Sequence, residues 1–172
     1  LLHSGFKKRI LEASNKIQQE INGIDALVGY PEYQNGKIFN SCSVFSEKKE
    51  IVRYRKEALP NYSVFDEKRY FESDDYSAIF SVKWKKIGIN ICEDIWQEQA
   101  AIRSKNAGAE LIIVINGSPY EKNGQEKREK VVKRLTEVTG LPFVYLNMIG
   151  GQDELLFDGS SFVMDKNGEI VY

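Results

Sequence analysis

Histidine is nearly absent from this chain, because His3 is the single histidine among its 172 residues. A zinc site built from several histidines and a Ser-His-Asp triad are therefore not expected. Cysteine is also scarce, and Cys42 and Cys92 stand fifty residues apart, a spacing typical of neither a disulfide framework nor a metal site. We therefore expect no metal, and we expect a reducing compartment, the cytoplasm.

The sequence also lacks a long apolar run, a secretory signal pattern and a surplus of charge of one sign. Its 24 basic and 25 acidic side chains leave a net charge of −1, so neither a membrane nor nucleic acid is an expected partner. The phosphate-binding patterns G-x-x-x-x-G-K-[ST] and G-x-G-x-x-G are both missing, so we expect no nucleotide cofactor in this domain. Trp84 and Trp96 are predicted to pack against the sheet and a pocket wall.

The length fits one domain, and the apolar periodicity predicts an α/β fold for residues 1–172. We predict helices over 6–21, 98–106 and 125–138, single strands over 25–30, 111–115 and 143–146, and paired strands 38–45 with 50–54, 78–84 with 86–91, and 161–165 with 169–172. Pro31 is predicted to end the first strand, and residues 56–73 are predicted to form a loop. This order indicates a mixed sheet covered by helices.

The segment GINICEDIW, residues 88–96, brings a cysteine to the end of a strand. Cys92 follows alternating apolar residues and precedes Glu93 and Asp94, which suit the first turn of a helix. A free thiol has a pKa of about 8.5, and nearby helix N–H groups favour the thiolate that nucleophilic chemistry needs. The two acids oppose a thiolate unless a cation stands opposite. A buried structural cysteine is the alternative interpretation.

A candidate cation lies upstream, where Lys56 begins the aromatic and charged segment KEALPNYSVFDEKRYF. An ammonium held beside the sulfur would favour the thiolate and stabilise a developing oxyanion. The alternative is a solvated lysine on a surface loop that aromatic side chains hold against the protein.

Three motifs, in this order, resemble one family. They are LPNY followed by VFDE.RYF after Lys56, GI.ICED.W around Cys92, and GGQDELLFDG at 150–159. Together they resemble the amidase domain of glutamine-dependent NAD synthetases, a domain of the nitrilase superfamily, and the last motif separates these synthetases from other nitrilases. The resemblance covers essentially the whole chain. It implies the nitrilase-type α-β-β-α four-layer sandwich and the hydrolysis of glutamine.

The resemblance also implies roles for individual residues. Cys92 corresponds to the nucleophile that attacks the side-chain carboxamide of glutamine, releases ammonia and leaves a thioester. Lys56 corresponds to the catalytic lysine. Glu67 corresponds to a second acid of the family and would orient Lys56, with an exposed loop acid as the alternative.

Substrate contacts follow from the same resemblance. Tyr62 and Glu93 correspond to positions that contact bound glutamine, Glu93 through the α-amino group, and Ser118 corresponds to a serine that holds the substrate. Aromatic packing of a loop is the alternative for Tyr62. The family usually has a basic residue six positions after that serine. Gly124 stands there in this chain, so the partner of the glutamine carboxylate stays unassigned.

One catalytic group of the family has no counterpart in this sequence. The family's glutamate lies in a Phe-Pro-Glu-like segment before the helix with which this chain begins. Glu32 follows Pro31, but it falls at a strand end where the family varies, so it is not assigned as the base. Both ends look like cuts through a longer protein. We expect residues 1–172 alone to be almost inactive, without the first strand segment and the C-terminal synthetase domain.

The implied partners are L-glutamine, the chain's own C-terminal synthetase domain and further copies of the chain, since the family uses outer helices and the C-terminal hairpin region for oligomer contacts. ATP and Mg²⁺ would act in the synthetase domain. The parent protein would pass ammonia to adenylated nicotinic acid adenine dinucleotide and so make NAD. A stand-alone amidase or carbamoylase of the nitrilase family and a catalytically inactive scaffold are the alternatives.

Overall fold

The computed structural model describes residues 1–3 and 5–172. Three α-helices are described, α1 (Phe6–Glu20), α2 (Gln99–Asn106) and α3 (Gly124–Thr139). The strands described are β1 (Asp25–Gln34), β2 (Lys37–Ser46), β3 (Lys49–Arg55), β4 (Ile79–Val82), β5 (Lys85–Ile91), β6 (Leu111–Asn116), β7 (Phe143–Asn147), β8 (Ile149–Gln152), β9 (Leu155–Asp158) and β10 (Phe162–Met164). The three predicted helices are confirmed, and so is the α/β class.

The strands β1, β2 and β3 form an antiparallel sheet in that order. The prediction that Pro31 ends the first strand is wrong, because β1 continues to Gln34 and pairs with β2 along its whole length. Proline lacks a backbone N–H, but β1 is an edge strand of this sheet, so its free edge needs no donor there. Asn35 and Gly36 make the connecting turn with φ of 51° and 79°, which suits a two-residue hairpin.

The second sheet has the order β10-β7-β6-β5-β4. Its centre is parallel, with β5 beside β6 and β6 beside β7, and its two outer strands are antiparallel to their neighbours. Ile112 and Val114 of β6 are fully buried, as the β-branched run predicts. Because parallel strands end at the same edge, the last residues of β5, β6 and β7 lie side by side.

Two apolar clusters define the layers of the fold. The first lies between the two sheets and joins residues such as Cys42 and Val44 to Phe80 and Ile89. The second lies on the other face of the five-stranded sheet, where Leu135 and other residues of the helical layer pack. Helix α1 contacts β1 and β3, so it covers the outer face of the three-stranded sheet. The layer order is therefore helix, sheet, sheet, helices, as the four-layer prediction requires.

The predicted loop, hairpins and tryptophan positions agree with the structure only in part. Residues 56–73 are a loop as predicted, apart from one 3-10 turn at Glu67–Arg69. The β8–β9 hairpin inside the 150–159 motif was not predicted. The C-terminal pairing is confirmed by backbone hydrogen bonds between Val163 and both Val171 and Tyr172. Trp84 does not pack against the sheet, because it lies in the β4–β5 turn and is 88% exposed. No described helix is long and apolar enough to cross a membrane.

Candidate active site

The turn after β5 puts Cys92 in an unusual backbone conformation. Cys92 has φ of 45° and begins a 3-10 turn that runs from Cys92 to Trp96. Positive φ is uncommon for a residue with a side chain and costs roughly 1–3 kcal/mol, so it persists only where the surrounding structure holds it. Strained backbone of this kind clusters at functional sites. The turn lies at the carboxyl ends of the parallel strands, where open α/β sheets bind ligands.

Asp94 holds this turn. One of its carboxylate oxygens accepts hydrogen bonds from the Ile91 N–H at 2.8 Å and the Tyr54 hydroxyl at 2.9 Å, and the other accepts the N–H groups of Glu57 at 3.1 Å and Ala58 at 2.8 Å. Asp94 is 1% exposed. Burial raises the pKa of its carboxyl to about 6, although these hydrogen bonds act in the opposite direction.

Lys56 and Glu67 form a buried ion pair beside the turn. The Lys56 Nζ donates to Glu67 Oε1 at 2.7 Å, and the Lys56 side chain is 1% exposed while that of Glu67 is 18% exposed. The second oxygen of Glu67 is buried without a hydrogen-bond partner. The pair satisfies the charge of a lysine that would otherwise be costly to bury, and it fixes the position of the ammonium.

The thiol of Cys92 lies in a partly buried place between charged and hydroxyl groups. Its Sγ is 3.8 Å from Ser118 Oγ, which is in turn 3.1 Å from the Tyr145 hydroxyl. Burial raises the pKa of the thiol, while the Lys56 charge and the Ser118 hydrogen bond lower it and Glu67 and Glu93 raise it. The net result is a raised pKa, so the thiol proton must be taken by a base before or during nucleophilic attack.

Tyr62 and Glu93 form another part of the site. The Tyr62 hydroxyl donates to both carboxylate oxygens of Glu93, at 3.0 and 2.8 Å. Burial raises the pKa of Glu93, and the Tyr62 hydrogen bond and the Lys56 charge act against it. Burial and the neighbouring Glu93 raise the pKa of Tyr62 to about 12. The carboxylate therefore lies in place to receive a cationic group of a ligand.

An open cavity of about 480 Å³ lies over the thiol. Its lining residues are Tyr62, Ser63, Val64, Phe65, Cys92, Glu93, Trp96, Ser118, Pro119, Tyr120, Glu121, Gly124, Lys127, Arg128 and Leu155. Four of the six residues predicted for the site, Cys92, Tyr62, Glu93 and Ser118, therefore share one cavity. The other two, Lys56 and Glu67, do not line it, but their charges act on the Cys92 thiol. Trp96 lines the pocket wall as predicted.

Ser118 is fixed by the end of β7. Its N–H donates to Asn147 Oδ1 at 2.9 Å, and Asn147 Nδ2 donates back to the Ser118 carbonyl at 3.2 Å and to the Gly159 carbonyl at 3.0 Å. The buried amide of Asn147 thus joins the loop after β6 to the end of the 150–159 motif.

The family described as carbon-nitrogen hydrolase matches residues 17–172. The chain belongs to the carbon-nitrogen hydrolase family. Among curated proteins it is 40% identical, over 99% of its length, to the glutamine-dependent NAD(+) synthetase of Xanthomonas campestris, and 36% identical, over its whole length, to that of Acinetobacter baylyi. It spans only 31% and 32% of these two proteins, so it corresponds to about a third of each.

Solved structures agree with this membership. A glutamine-dependent NAD+ synthetase from Acinetobacter baumannii, in complex with ADP, superposes with a TM-score of 0.94 at 35% identity, over 99% of this chain and 32% of that one. An amidase of the nitrilase superfamily from Nesterenkonia superposes with a TM-score of 0.84 at 16% identity, over 99% and 64% of the two chains, and so shows the fold alone. The predicted nitrilase-type fold is confirmed.

Glu32 does not stand free to act as a base in this carbon-nitrogen hydrolase. It is 4% exposed and accepts hydrogen bonds from Arg53, Arg55 and Ser41 at 2.6 to 2.8 Å. Burial acts to raise its pKa, but these hydrogen bonds outweigh burial and lower the pKa to about 2. A carboxylate of such low pKa is a poor proton acceptor at neutral pH.

Sequence reasoning missed three residues of the site, Asp94, Tyr145 and Asn147. The position of Asp94, at the third residue of the turn, carried a usable signal, because an acid there can accept the N–H of the residue before the turn. Tyr145 and Asn147 gave no local signal, since both look like ordinary strand residues. No group of His, Cys, Asp and Glu side chains suited to a metal ion occurs in the described part of the chain.

Proposed function

We propose that this chain is the glutamine-hydrolysing part of a glutamine-dependent NAD(+) synthetase, with Cys92 as its nucleophile. The observation that carries the proposal is the placing of a thiol in a strained turn, under the influence of a buried ammonium, in a cavity that also contains a carboxylate. The names of the relatives that match nearly the whole chain support the choice of glutamine. The ammonia would serve the ATP-dependent amidation of nicotinic acid adenine dinucleotide, with ATP and Mg²⁺ used outside these 172 residues.

The chemistry proceeds in two steps. The Cys92 sulfur attacks the carboxamide carbon while a base takes the thiol proton, and the carbonyl oxygen becomes an oxyanion that the Lys56 ammonium stabilises. The C–N bond then breaks as the leaving nitrogen is protonated, which releases ammonia and leaves a thioester. In the second step water attacks the thioester carbon and gives up a proton, the C–S bond breaks, the sulfur takes up a proton to restore the thiol, and glutamate leaves. Glu67 keeps the Lys56 ammonium in place through both steps.

Glu93 favours an amino-acid amide over a simple amide. Its carboxylate lines the cavity close to the thiol and would receive the α-ammonium group of glutamine, with Tyr62 holding the carboxylate in place. Ser118, whose Oγ lies 3.8 Å from the Cys92 Sγ, would also hold the substrate. Lys127 lines the same cavity, where its Nζ is paired with Glu121 at 2.6 Å. A neutral amide, such as a stand-alone amidase would accept, would leave the Glu93 carboxylate with the Tyr62 hydroxyl as its hydrogen-bond donor and without a positive charge from the substrate.

We also propose that residues 1–172 alone hydrolyse glutamine slowly. Three carboxylates act near the thiol, and each is occupied: Glu67 by Lys56, Glu93 by Tyr62, and Asp94 by four donors. Only Glu67 keeps an oxygen without a hydrogen-bond partner, and the glutamate that the family resemblance implies as the base has no counterpart among these residues.

Self-association and a cytoplasmic location are further proposals. Large apolar side chains lie exposed on β7, β8 and β9 and at the residue between β7 and β8, namely Leu146, Met148, Ile149 and Leu156, and their exposure supports contact with a further copy of the chain. Both cysteines are free thiols, which supports a reducing compartment.

The nucleophile is tested in the full-length protein with Cys92→Ala. Synthesis of NAD from glutamine should be abolished, while synthesis from added ammonia should continue, because ammonia bypasses the thiol. The matched control is Cys42→Ala, which removes a fully buried thiol whose pKa burial raises to about 12. The control should retain both activities. Continued use of glutamine by Cys92→Ala, measured as glutamate release, would show that another residue is the nucleophile.

A further inference from the structure

Asp94 is a buried carboxylate that the proposed chemistry does not use. It follows Cys92 by two residues, is 1% exposed, and accepts four hydrogen bonds. A carboxylate in such a place is costly to bury, and a short turn can be held by fewer hydrogen bonds. The distribution of its four donors indicates what the carboxylate does.

The two carboxylate oxygens hold different parts of the site. The Oδ2 atom accepts from Ile91, the residue before the nucleophile, and from the Tyr54 hydroxyl of β3. The Oδ1 atom accepts from the N–H groups of Glu57 and Ala58, the two residues that follow Lys56. One rigid group therefore joins the turn that carries the sulfur to the backbone that carries the ammonium.

We propose that Asp94 is a positioning residue that fixes the Lys56 ammonium beside the Cys92 sulfur. It does so by accepting hydrogen bonds from the backbone just before Cys92 and from the backbone just after Lys56. The proposal rests on the proposed function of Cys92 as a nucleophile. Lys56 itself has two other attachments, its N–H to the Asn40 carbonyl at 2.8 Å and its Nζ to Glu67. Neither attachment links Lys56 to the Cys92 turn, whereas Asp94 does.

The charges around the Cys92 thiol and the Asp94 carboxylate determine how the thiol pKa would respond to a change at Asp94. Cys92 is influenced by Lys56, Glu67, Glu93 and Ser118, and its own charge acts on Tyr62 and Tyr145. Asp94 faces Tyr54 and Lys56, with Arg103 acting on Tyr54 and paired to Glu57. Removal of the negative charge of Asp94 by itself lowers the pKa of a nearby thiol, whereas displacement of Lys56 raises it. The two effects have opposite signs.

The test is Asp94→Asn in the full-length protein, with the pH dependence of iodoacetamide alkylation measured on the Cys92 peptide by mass spectrometry. Asparagine can accept at one atom but cannot accept all four hydrogen bonds. The apparent pKa of Cys92 should rise, and alkylation at pH 7 should slow by about tenfold or more, because loss of a close opposite charge shifts a pKa by 1–3 units. Glutamine-dependent kcat/KM should fall with it.

Controls separate positioning from general damage. Tyr54→Phe removes one donor to Asp94 and leaves both loop contacts, so its alkylation profile should match the wild type. In a Lys56→Met background, Asp94→Asn should cause no further rise, since no ammonium is left to displace. Asp94→Glu keeps the charge but moves the oxygens by one methylene. Asp94→Glu should also raise the thiol pKa, and it is the variant to use for the test if Asp94→Asn fails to fold.

An unchanged or lowered thiol pKa in a folded Asp94 variant would overturn the proposal. An equal rise in the Lys56→Met background would overturn it as well. Alkylation needs no glutamine, so the thiol pKa can be measured whether or not Cys92 is the nucleophile. A raised thiol pKa in Asp94→Asn, together with normal use of glutamine by Cys92→Ala, would support the positioning role and refute Cys92 as the nucleophile.

Discussion

At the scale of single residues, two buried acids contrast sharply in this protein. Glu32 and Asp94 are 4% and 1% exposed, and burial acts to raise the pKa of both. Glu32 accepts from two guanidinium groups, and its pKa falls to about 2. Asp94 accepts only from neutral N–H and O–H groups, and its pKa rises to about 6. Charged donors outweigh burial, whereas neutral donors do not.

The low pKa of Glu32 predicts a stability that depends on pH. Its folded pKa of about 2 lies below the ordinary value of 4.5, so its contribution is fully present above pH 4.5 and is lost as the pH falls towards 2. Glu32→Gln should lower the free energy of unfolding by about 3 kcal/mol at pH 7, because it leaves Arg53 and Arg55 without their buried partner. The difference from wild type should shrink towards zero near pH 2.

Urea unfolding between pH 2 and pH 7 measures this difference. Glu20→Gln is the control, because the Glu20 side chain is 69% exposed and should give a small difference at every pH. A constant difference between Glu32→Gln and wild type across this range would contradict the assignment of the low pKa.

At the scale of elements, helix α2 lies so close to β5 that a side chain at Gly88 would be crowded. A Cβ on Gly88 would stand 3.0 Å from Ser104 Cβ and 3.2 Å from Ala109 Cβ. The backbone of Gly88 pairs with β4 on one side and β6 on the other, so the strand cannot move aside alone. The close approach of α2 to β5 thus depends on the absence of a side chain at Gly88.

Gly88→Ala should therefore destabilise the protein by about 1–3 kcal/mol, the usual cost of overpacking. Because β5 leads directly into Cys92, the alkylation rate of this thiol should change as well. Gly151→Ala is the control, since a Cβ there would meet its nearest atom, Leu156 Cδ2, at an ordinary 3.6 Å. Thermal unfolding of both variants checks the prediction, and equal melting temperatures would count against a close-packed α2–β5 contact.

At the scale of the whole molecule, apolar periodicity predicted the helices and most strands, whereas the order of the four layers came from the family resemblance. Apolar periodicity was sufficient for the helices and for the strand over 111–115, because helical spacing of apolar residues and a β-branched run are direct sequence signals, although no residue of α1 is buried. The β8–β9 hairpin gave no such sequence signal, since its residues 149–152 are exposed. For the site, the resemblance supplied Lys56 and Cys92. The role of Asp94 arises from contacts across 36 to 40 residues, which no local pattern contains.

The slow hydrolysis proposed for residues 1–172 is also a property of the whole molecule. Ammonia release from glutamine should be about a hundredfold or more slower than in the full-length protein, because general-base assistance contributes at least that factor. Cooperative thermal unfolding and alkylation of Cys92 would establish that the shorter protein is folded. A rate within tenfold of the full-length protein would contradict the prediction, and Glu67→Gln would then test whether the free oxygen of Glu67 is the base.

The sequence contains two tryptophans, and their exposure to solvent differs. Trp84 is 88% exposed in the β4–β5 turn, whereas Trp96 is 39% exposed and lines the cavity over Cys92. Indole emission shifts to shorter wavelengths when water is removed from the ring. Replacement of Trp84 by phenylalanine leaves Trp96 as the single indole in this chain, and its emission, excited at wavelengths that tyrosine does not absorb, then reports when a ligand fills the cavity.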